Sequence, residues 1–319
     1  MGSNSELYER VTGFLAPNSL DDYLHSGTSG DYTLSETSYV GFNIPEAAID
    51  AQIYHWFHPE LGIVSGGIII WQGLRETSAD ADYIDYRNFM PYPSGSVTVQ
   101  QYPTGVRVEV LEPMKRLKVS FESPDGRTRL EMISEAVMPP AGRADGKHFA
   151  QAMRNRGELV LNGVSHRIDG HFTRDRSYDA PRAEIQRPIP PMTWGAAVFG
   201  DDLALHFVGF DAPEQSEDAI QWGYVWDGNS LATPVSMQKV TTREADGVTP
   251  DGAELEIVDD RGRTFSMKAT MLARLPMSFW PNMITNLILM RYELPDGRVG
   301  YGDYQDIVFN TFLREARVK

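Results

Sequence analysis

The chain has 319 residues, with 44 acidic against 29 basic side chains, a formal charge of −15 and no cysteine. That length exceeds the roughly 250–300 residues at which one core stops growing and argues for two domains. The acidic balance argues against nucleic-acid binding, because phosphate backbones are repelled, and the missing thiols exclude disulfides, thiolate nucleophiles and cysteine metal sites.

Met1 to Ser5 is polar with no basic flank, so no targeting segment is expected and a cytoplasmic location is the default. Ser19 to Tyr23 suits a single helical turn. Gln52, Tyr54, Trp56 and His58 alternate along a strand and would share one face. The longest apolar run, Ile63 to Trp71, is interrupted by Ser65, Gly66 and Gly67 and is too short to span a bilayer, so no stable membrane insertion is expected. Val106 to Val110 and Leu130 to Ile133 alternate as half-buried strands do, and Pro124-Asp125-Gly126-Arg127 between them reads as a tight hairpin. Lys147 to Arg154 suits two helical turns, and Glu158 to Val164 a hairpin arm. Arg187-Pro188-Ile189-Pro190-Pro191 removes ladder donors and reads as a connector, dividing residues 1–186 from 187–319. Beyond it, Trp222, Tyr224 and Trp226 would share a strand face. Asp227-Gly228, Arg261-Gly262-Arg263 and Pro295-Asp296-Gly297-Arg298 mark turns, Leu287 to Leu294 reads as a buried strand, and Asn310 to Arg317 as a closing helix. The pattern is all-β, with few short helices.

Familiar chemical motifs are missing. His55 and His58 lie three apart and His166 and His171 five apart, spacings that send strand side chains to opposite faces, so no metal site is expected. Gly300-Tyr301-Gly302 lacks the third glycine of a dinucleotide loop, where Gln305 stands, and no Gly-x-Ser-x-Gly elbow occurs. What remains is aromatic and ionic. Trp56, Trp71, Trp194, Tyr224 and Trp226 would fill sheet cores or line an apolar cavity. Residues 169–182 hold ten ionisable or hydroxyl side chains in fourteen positions, among them His171, Arg174, Asp175, Arg176, Tyr178 and Arg182, and so form the main candidate for chemistry.

At Gly170, Arg174, Asp175, Arg176, Ser177, Tyr178, Asp179 and Arg182 the sequence resembles the superfamily of carotenoid 1,2-hydratases (hydroxyneurosporene synthase-like), AttH-like proteins and lipocalin-like Diels–Alderases. The likeness extends to Trp56–Gly67, Trp222–Gly228 and Asp296–Gly302. It implies two tandem lipocalin-like β-barrel domains. Hydratases of this group place a His and a Trp two apart where Arg176 and Tyr178 stand here. Arginine is no acid near neutral pH, which counts against hydration by that route.

The resemblance implies a cofactor-independent lyase or isomerase acting on a hydrophobic small molecule, such as a terpenoid, a polyketide or an aromatic catabolite. Asp175 would be the base or electrostatic stabiliser, oriented by Arg174 and Arg182. Tyr178 would donate a proton and His171 would be a second acid or base. Trp56, Trp71, Trp194, Tyr224, Trp226 and Arg176 would bind substrate. The alternative is a carrier of a lipid or isoprenoid in which Asp175 and the arginines are an ion-pair network.

Overall fold

The computed structural model describes residues 11–25, 30–181, 191–210, 219–246, 249–279 and 282–311. The chain divides into two compact units, one of Leu15–Ala183 and one of Met1–Phe14 with Glu184–Lys319. Val11 donates its N–H to the Gln221 carbonyl at 2.9 Å, tying the described part of the N-terminal segment to the second unit. Residues 182–190, which hold Arg182 and most of the proposed connector, lie outside the described residues.

Both units are antiparallel β-sheets, and no helix of seven residues or more occurs among the described residues. The longer strands of the first unit are β1 (Leu34–Ile44), β2 (Ile49–His58), β3 (Ile63–Gln72), β4 (Tyr83–Pro91), β5 (Arg107–Glu112), β6 (Arg116–Glu122), β7 (Arg129–Ala136), β8 (His148–Leu161) and β9 (Val164–Pro181). They order as β4-β3-β2-β1-β9-β8-β7-β6-β5, so the first and last long strands pair at the middle of the sheet. Val40, Ile53, Phe57 and Ile68 from one half meet Val108, Val119 and Leu130 from the other in a single core. The sheet therefore curls on itself, because a twisted sheet with one apolar face buries that face by curving around it.

The second unit comprises β10 (Met192–Val198), β11 (Ala204–Phe210), β12 (Ala219–Trp226), β13 (Pro234–Arg243), β14 (Pro250–Asp259), β15 (Thr264–Met277), β16 (Met283–Glu293) and β17 (Val299–Phe309). Its order is β12-β11-β10-β17-β16-β15-β14-β13, with β12 next to β13. Leu205, Phe207, Val225, Leu255, Ile288 and Tyr292 fill its interior. Of the two sheets one is a half-barrel and the other a nearly closed barrel, the all-β tandem architecture that the resemblance implies.

The expected turns at Gly126, Gly228, Gly262 and Gly297 all have positive φ. The turn at Ser19–Asp22 is a short 3-10 helix capped by Asn18, whose side chain accepts the Leu20 N–H at 2.9 Å. The helix expected over Lys147–Arg154 is instead the start of β8. Phe149, Gln151 and Met153 are buried on one face and Ala150 and Ala152 on the other. Burial on both faces erases the polar alternation that marks a strand in sequence. Asn310 and Thr311 begin a helical turn, and the remainder of that expected helix, from residue 312, lies outside the described residues.

Gly66 and Gly67 lie where the pairing of β3 with β4 shifts register, between Val64 and Gly66. Gly66 has φ +135°, and a Cβ there would stand 2.1 Å from the Tyr54 carbonyl oxygen. Only glycine fits both the conformation and the approach. Gly66→Ala is expected to destabilise this unit by about 3 kcal/mol, read as a lower urea midpoint; an unchanged midpoint would contradict the packing.

Candidate functional site

Strand β9 carries the ionic cluster, and its alternation decides what each residue can do. Arg174 and Arg176 point into the first unit. The Arg174 guanidinium donates to Asp22 Oδ1 at 2.6 Å and to Gln151 Oε1 at 3.0 and 2.8 Å, and it lies 5.3 Å from the Phe149 ring centroid. Asp22 Oδ2 also accepts the Met114 N–H at 2.6 Å. Gln151 donates to the Met114 and Met138 carbonyls, each at 2.8 Å. Arg176 donates to the Asp22 and Tyr23 carbonyls, both at 3.0 Å, and to Glu36 Oε2 at 3.1 Å. These pairs are almost completely buried. Two arginines therefore clamp the segment around the Ser19–Asp22 turn onto the barrel interior.

Tyr178 belongs to the same network. Its hydroxyl donates to Asp21 Oδ2 at 3.0 Å, and its ring lies 4.9 Å from that of His25. Burial and the Asp21 carboxylate raise its pKa above the ordinary phenol value, so it holds its proton firmly. His25 Nδ1 lies 2.9 Å from Glu36 Oε1, and this hydrogen bond raises the pKa of its imidazole above the usual value despite partial burial. Deeper in the interior, His55 stacks on Tyr102 at 3.6 Å, and burial pushes its pKa down to about 3.

Asp175 stands on the opposite face of β9. Its rung reads Ala150, Asp175, Tyr39, Tyr54 and Gly67 across β8, β9, β1, β2 and β3. The next rung reads His148, Ser177, Thr37, Trp56 and Ser65. Residues directly opposite share a face, with Cβ atoms about 5 Å apart. Asp175 is half-buried, between fully buried Ala150 and Tyr39, which is 3% exposed. Tyr39 meets Tyr54 edge-on at 6.1 Å. His148 Nδ1 lies 2.8 Å from Ser177 Oγ. Further along this face are Gln52 and Trp71. Both side-chain amide atoms of Gln52, and Trp71 Nε1, are buried with no hydrogen-bond partner among the described residues. An aromatic, buried face with unspent hydrogen-bonding capacity suits a small molecule that brings a polar group of its own.

In the second unit the expected aromatic residues also cluster. Trp194, Tyr224 and Trp222 surround His206, and Trp226 Nε1 donates to the Asp201 carbonyl at 3.0 Å. Two open grooves of about 780 and 660 Å³ lie elsewhere, on outward sheet faces. The first mixes Arg107, Lys118 and Arg156 with Glu131 and Glu158, a lining unsuited to an apolar ligand.

The cluster expected over 169–182 is thus divided. Arg174 is committed to Asp22 and Gln151 on the far face from Asp175, which corrects the expectation that it orients that carboxylate. Arg176 and Tyr178 also face the interior network, away from Trp56 and Trp71. His171 shares the face of Asp175 but lies four residues along, about 13 Å at strand rise. It receives Asn43 Nδ2 on its carbonyl at 3.0 Å. Arg182 lies outside the described residues. His148, with Ser177, is the candidate that sequence reasoning missed. The signal was available in the two-residue spacing of His148, Ala150 and Ala152, but the segment read as helix.

Removing one side of the buried pair leaves an uncompensated charge. Arg174→Met is therefore expected to cost roughly 3–5 kcal/mol, measured by urea unfolding, and a loss below about 1 kcal/mol would contradict the clamp. His25 supplies the pH dependence. Its folded pKa is raised, so its stabilisation is complete below the unfolded value of about 6.5 and is lost as pH rises through the folded value. The Tm difference between wild type and His25→Gln should be largest near pH 5.5 and shrink by pH 8.5; a difference that grows with pH would reverse the assignment.

Comparison with known proteins agrees with this architecture. The structure is similar to that of an AttH-like protein from Nitrosomonas europaea, with TM-score 0.62 and 13% identity over 94% of this chain and 98% of that one. It is also similar to kievitone hydratase from Nectria haematococca, with TM-score 0.52 and 9% identity over 95% and 98%. Both are members of the carotenoid hydratase and lipocalin-like group that the sequence resembles. No curated protein matches the chain. The model of a domain of unknown function, DUF7064, matches residues 18–306, and the chain belongs to that family.

Proposed function

We propose that this protein is a cofactor-independent lyase or isomerase that handles a hydrophobic small molecule, with Asp175 as its base. One observation carries the proposal: Asp175 stands on the opposite face of β9 from Arg174 and Arg176, on a buried aromatic face beside the hydrogen-bonded pair His148 and Ser177. The fold shared with a hydratase supports the same class.

In the hydratase form of the reaction, protonated His148 passes a proton to one alkene carbon. Asp175 takes a proton from the water whose oxygen bonds to the neighbouring carbon. The net change is addition of one water, and the proton on Asp175 returns to His148 through Ser177 or solvent. Tyr39, Tyr54 and Trp56 present electron-rich ring faces that favour the cationic carbon formed between the two steps. The Gln52 amide would anchor a substrate hydroxyl or carbonyl. Positioning and acid–base transfer together suffice for this chemistry.

A carrier function is the second reading, favoured by the completeness of the clamp around Arg174. The two separate on one experiment. The full chain is incubated in D₂O with isoprenoid alkenes and prenylated phenols, and products are read by mass spectrometry. Enzyme-dependent gain of heavy water or exchange of deuterium into carbon is expected, with Asp175→Asn lowering the rate at least 100-fold while leaving the urea midpoint and substrate retention intact. Retention by the wild type without any mass change would establish the carrier, and an Asp175→Asn variant as active as wild type would remove Asp175 from the chemistry.

A further inference from the structure

The second unit contains a buried histidine with one unused nitrogen. His206 lies in the middle of β11 and is completely buried. Its Nδ1 is 2.8 Å from the Gly195 carbonyl oxygen. A carbonyl only accepts, so Nδ1 carries the proton and Nε2 presents a bare lone pair. Burial pushes its pKa down to about 3, which keeps the ring neutral at ordinary pH. Nε2 is buried and has no hydrogen-bond partner among the described residues. Buried acceptors are nearly always satisfied, so an empty one needs an explanation.

Its surroundings define what would satisfy it. Three ring centroids approach the imidazole, Trp194 at 4.7 Å, Trp222 at 5.2 Å and Tyr224 at 5.6 Å. Across the ladder His206 pairs with Ala196 on β10 and Tyr224 on β12, while Val208 pairs with Trp194 and Trp222. The rung partner Ala196 is small, and the larger rings of Trp194, Trp222 and Tyr224 occupy the neighbouring positions on the same face. Strands β10, β11 and β12 contain no Lys, Arg, Asp or Glu. Nothing on them would balance a charged ligand.

We propose that His206 is the hydrogen-bond acceptor of a small-molecule site in the second unit, for an uncharged aromatic or polyene molecule bearing one hydroxyl group. The ligand hydroxyl donates to Nε2, and the apolar remainder stacks against Trp194 and Trp222. The site requires neither Asp175 nor any turnover, so it stands apart from the proposed reaction.

The test uses the full chain with 1-naphthol and 1-methylnaphthalene, near-isosteres that differ in the donor, followed by tryptophan fluorescence. Naphthol is expected to bind at least tenfold tighter. His206→Phe should erase that preference while methylnaphthalene still binds, and Asp175→Asn should leave the preference intact. Because His206→Phe replaces a buried group and can unfold the unit, the wild type is also read by ¹⁵N NMR of its histidines. The His206 Nε2 resonance should move with naphthol and stay with methylnaphthalene. Failure of naphthol to bind, equal affinity for the two probes, loss of the preference in Asp175→Asn, or an unmoved Nε2 resonance would overturn the proposal and leave a packed histidine meeting a water.

Discussion

A β-strand can offer each face only every second side chain, and this constraint organises β9. Within four residues Arg174 and Arg176 turn inward while Asp175 and Ser177 turn outward. The inward pair is bound to Asp22, Gln151 and Glu36, all buried, and fixes the segment around the Ser19–Asp22 turn against the barrel. The outward pair lies among Tyr39, Trp56 and His148. One short sequence thus serves stability on one side and supplies candidate chemistry on the other.

The arginines explain why the strand tolerates so much buried charge. A guanidinium presents five donors in a fixed fork, and Arg174 uses its fork on two acceptors at once. Desolvating such a group is expensive, so its partners are positioned by further hydrogen bonds, from Met114 to Asp22 and from Gln151 to two carbonyls. The network is a positional device more than a source of net stability. Its effect is to hold β9, and with it Asp175, in one register against β1 and β8.

Much of the fold was legible in the sequence because its signals are local. Asp125-Gly126, Arg261-Gly262 and Asp296-Gly297 each demand a conformation that few residues other than glycine adopt readily, and each closes a hairpin. The shared face of Tyr54 and Trp56, and that of Trp222 and Tyr224, followed from period-two alternation. The start of β8 was not legible, since alanines on one face and Phe149, Gln151 and Met153 on the other remove polar contrast. The clamp was not legible either: Asp22 and Arg174 are 152 residues apart and nothing near either one announces the other. His206 carried no pattern at all, as its significance lies in three rings brought from neighbouring strands.

The division of β9 into a structural and a chemical face is tested most directly by ¹³C NMR of the aspartate carboxylates, with Asp175 assigned from Asp175→Asn, as geraniol is added to the full chain. The Asp175 signal should move in proportion to bound ligand while the carboxylate of Asp22, locked between Arg174 and Met114, keeps its position. Movement of the Asp22 signal with Asp175 unchanged would contradict the account and place the ligand on the interior face.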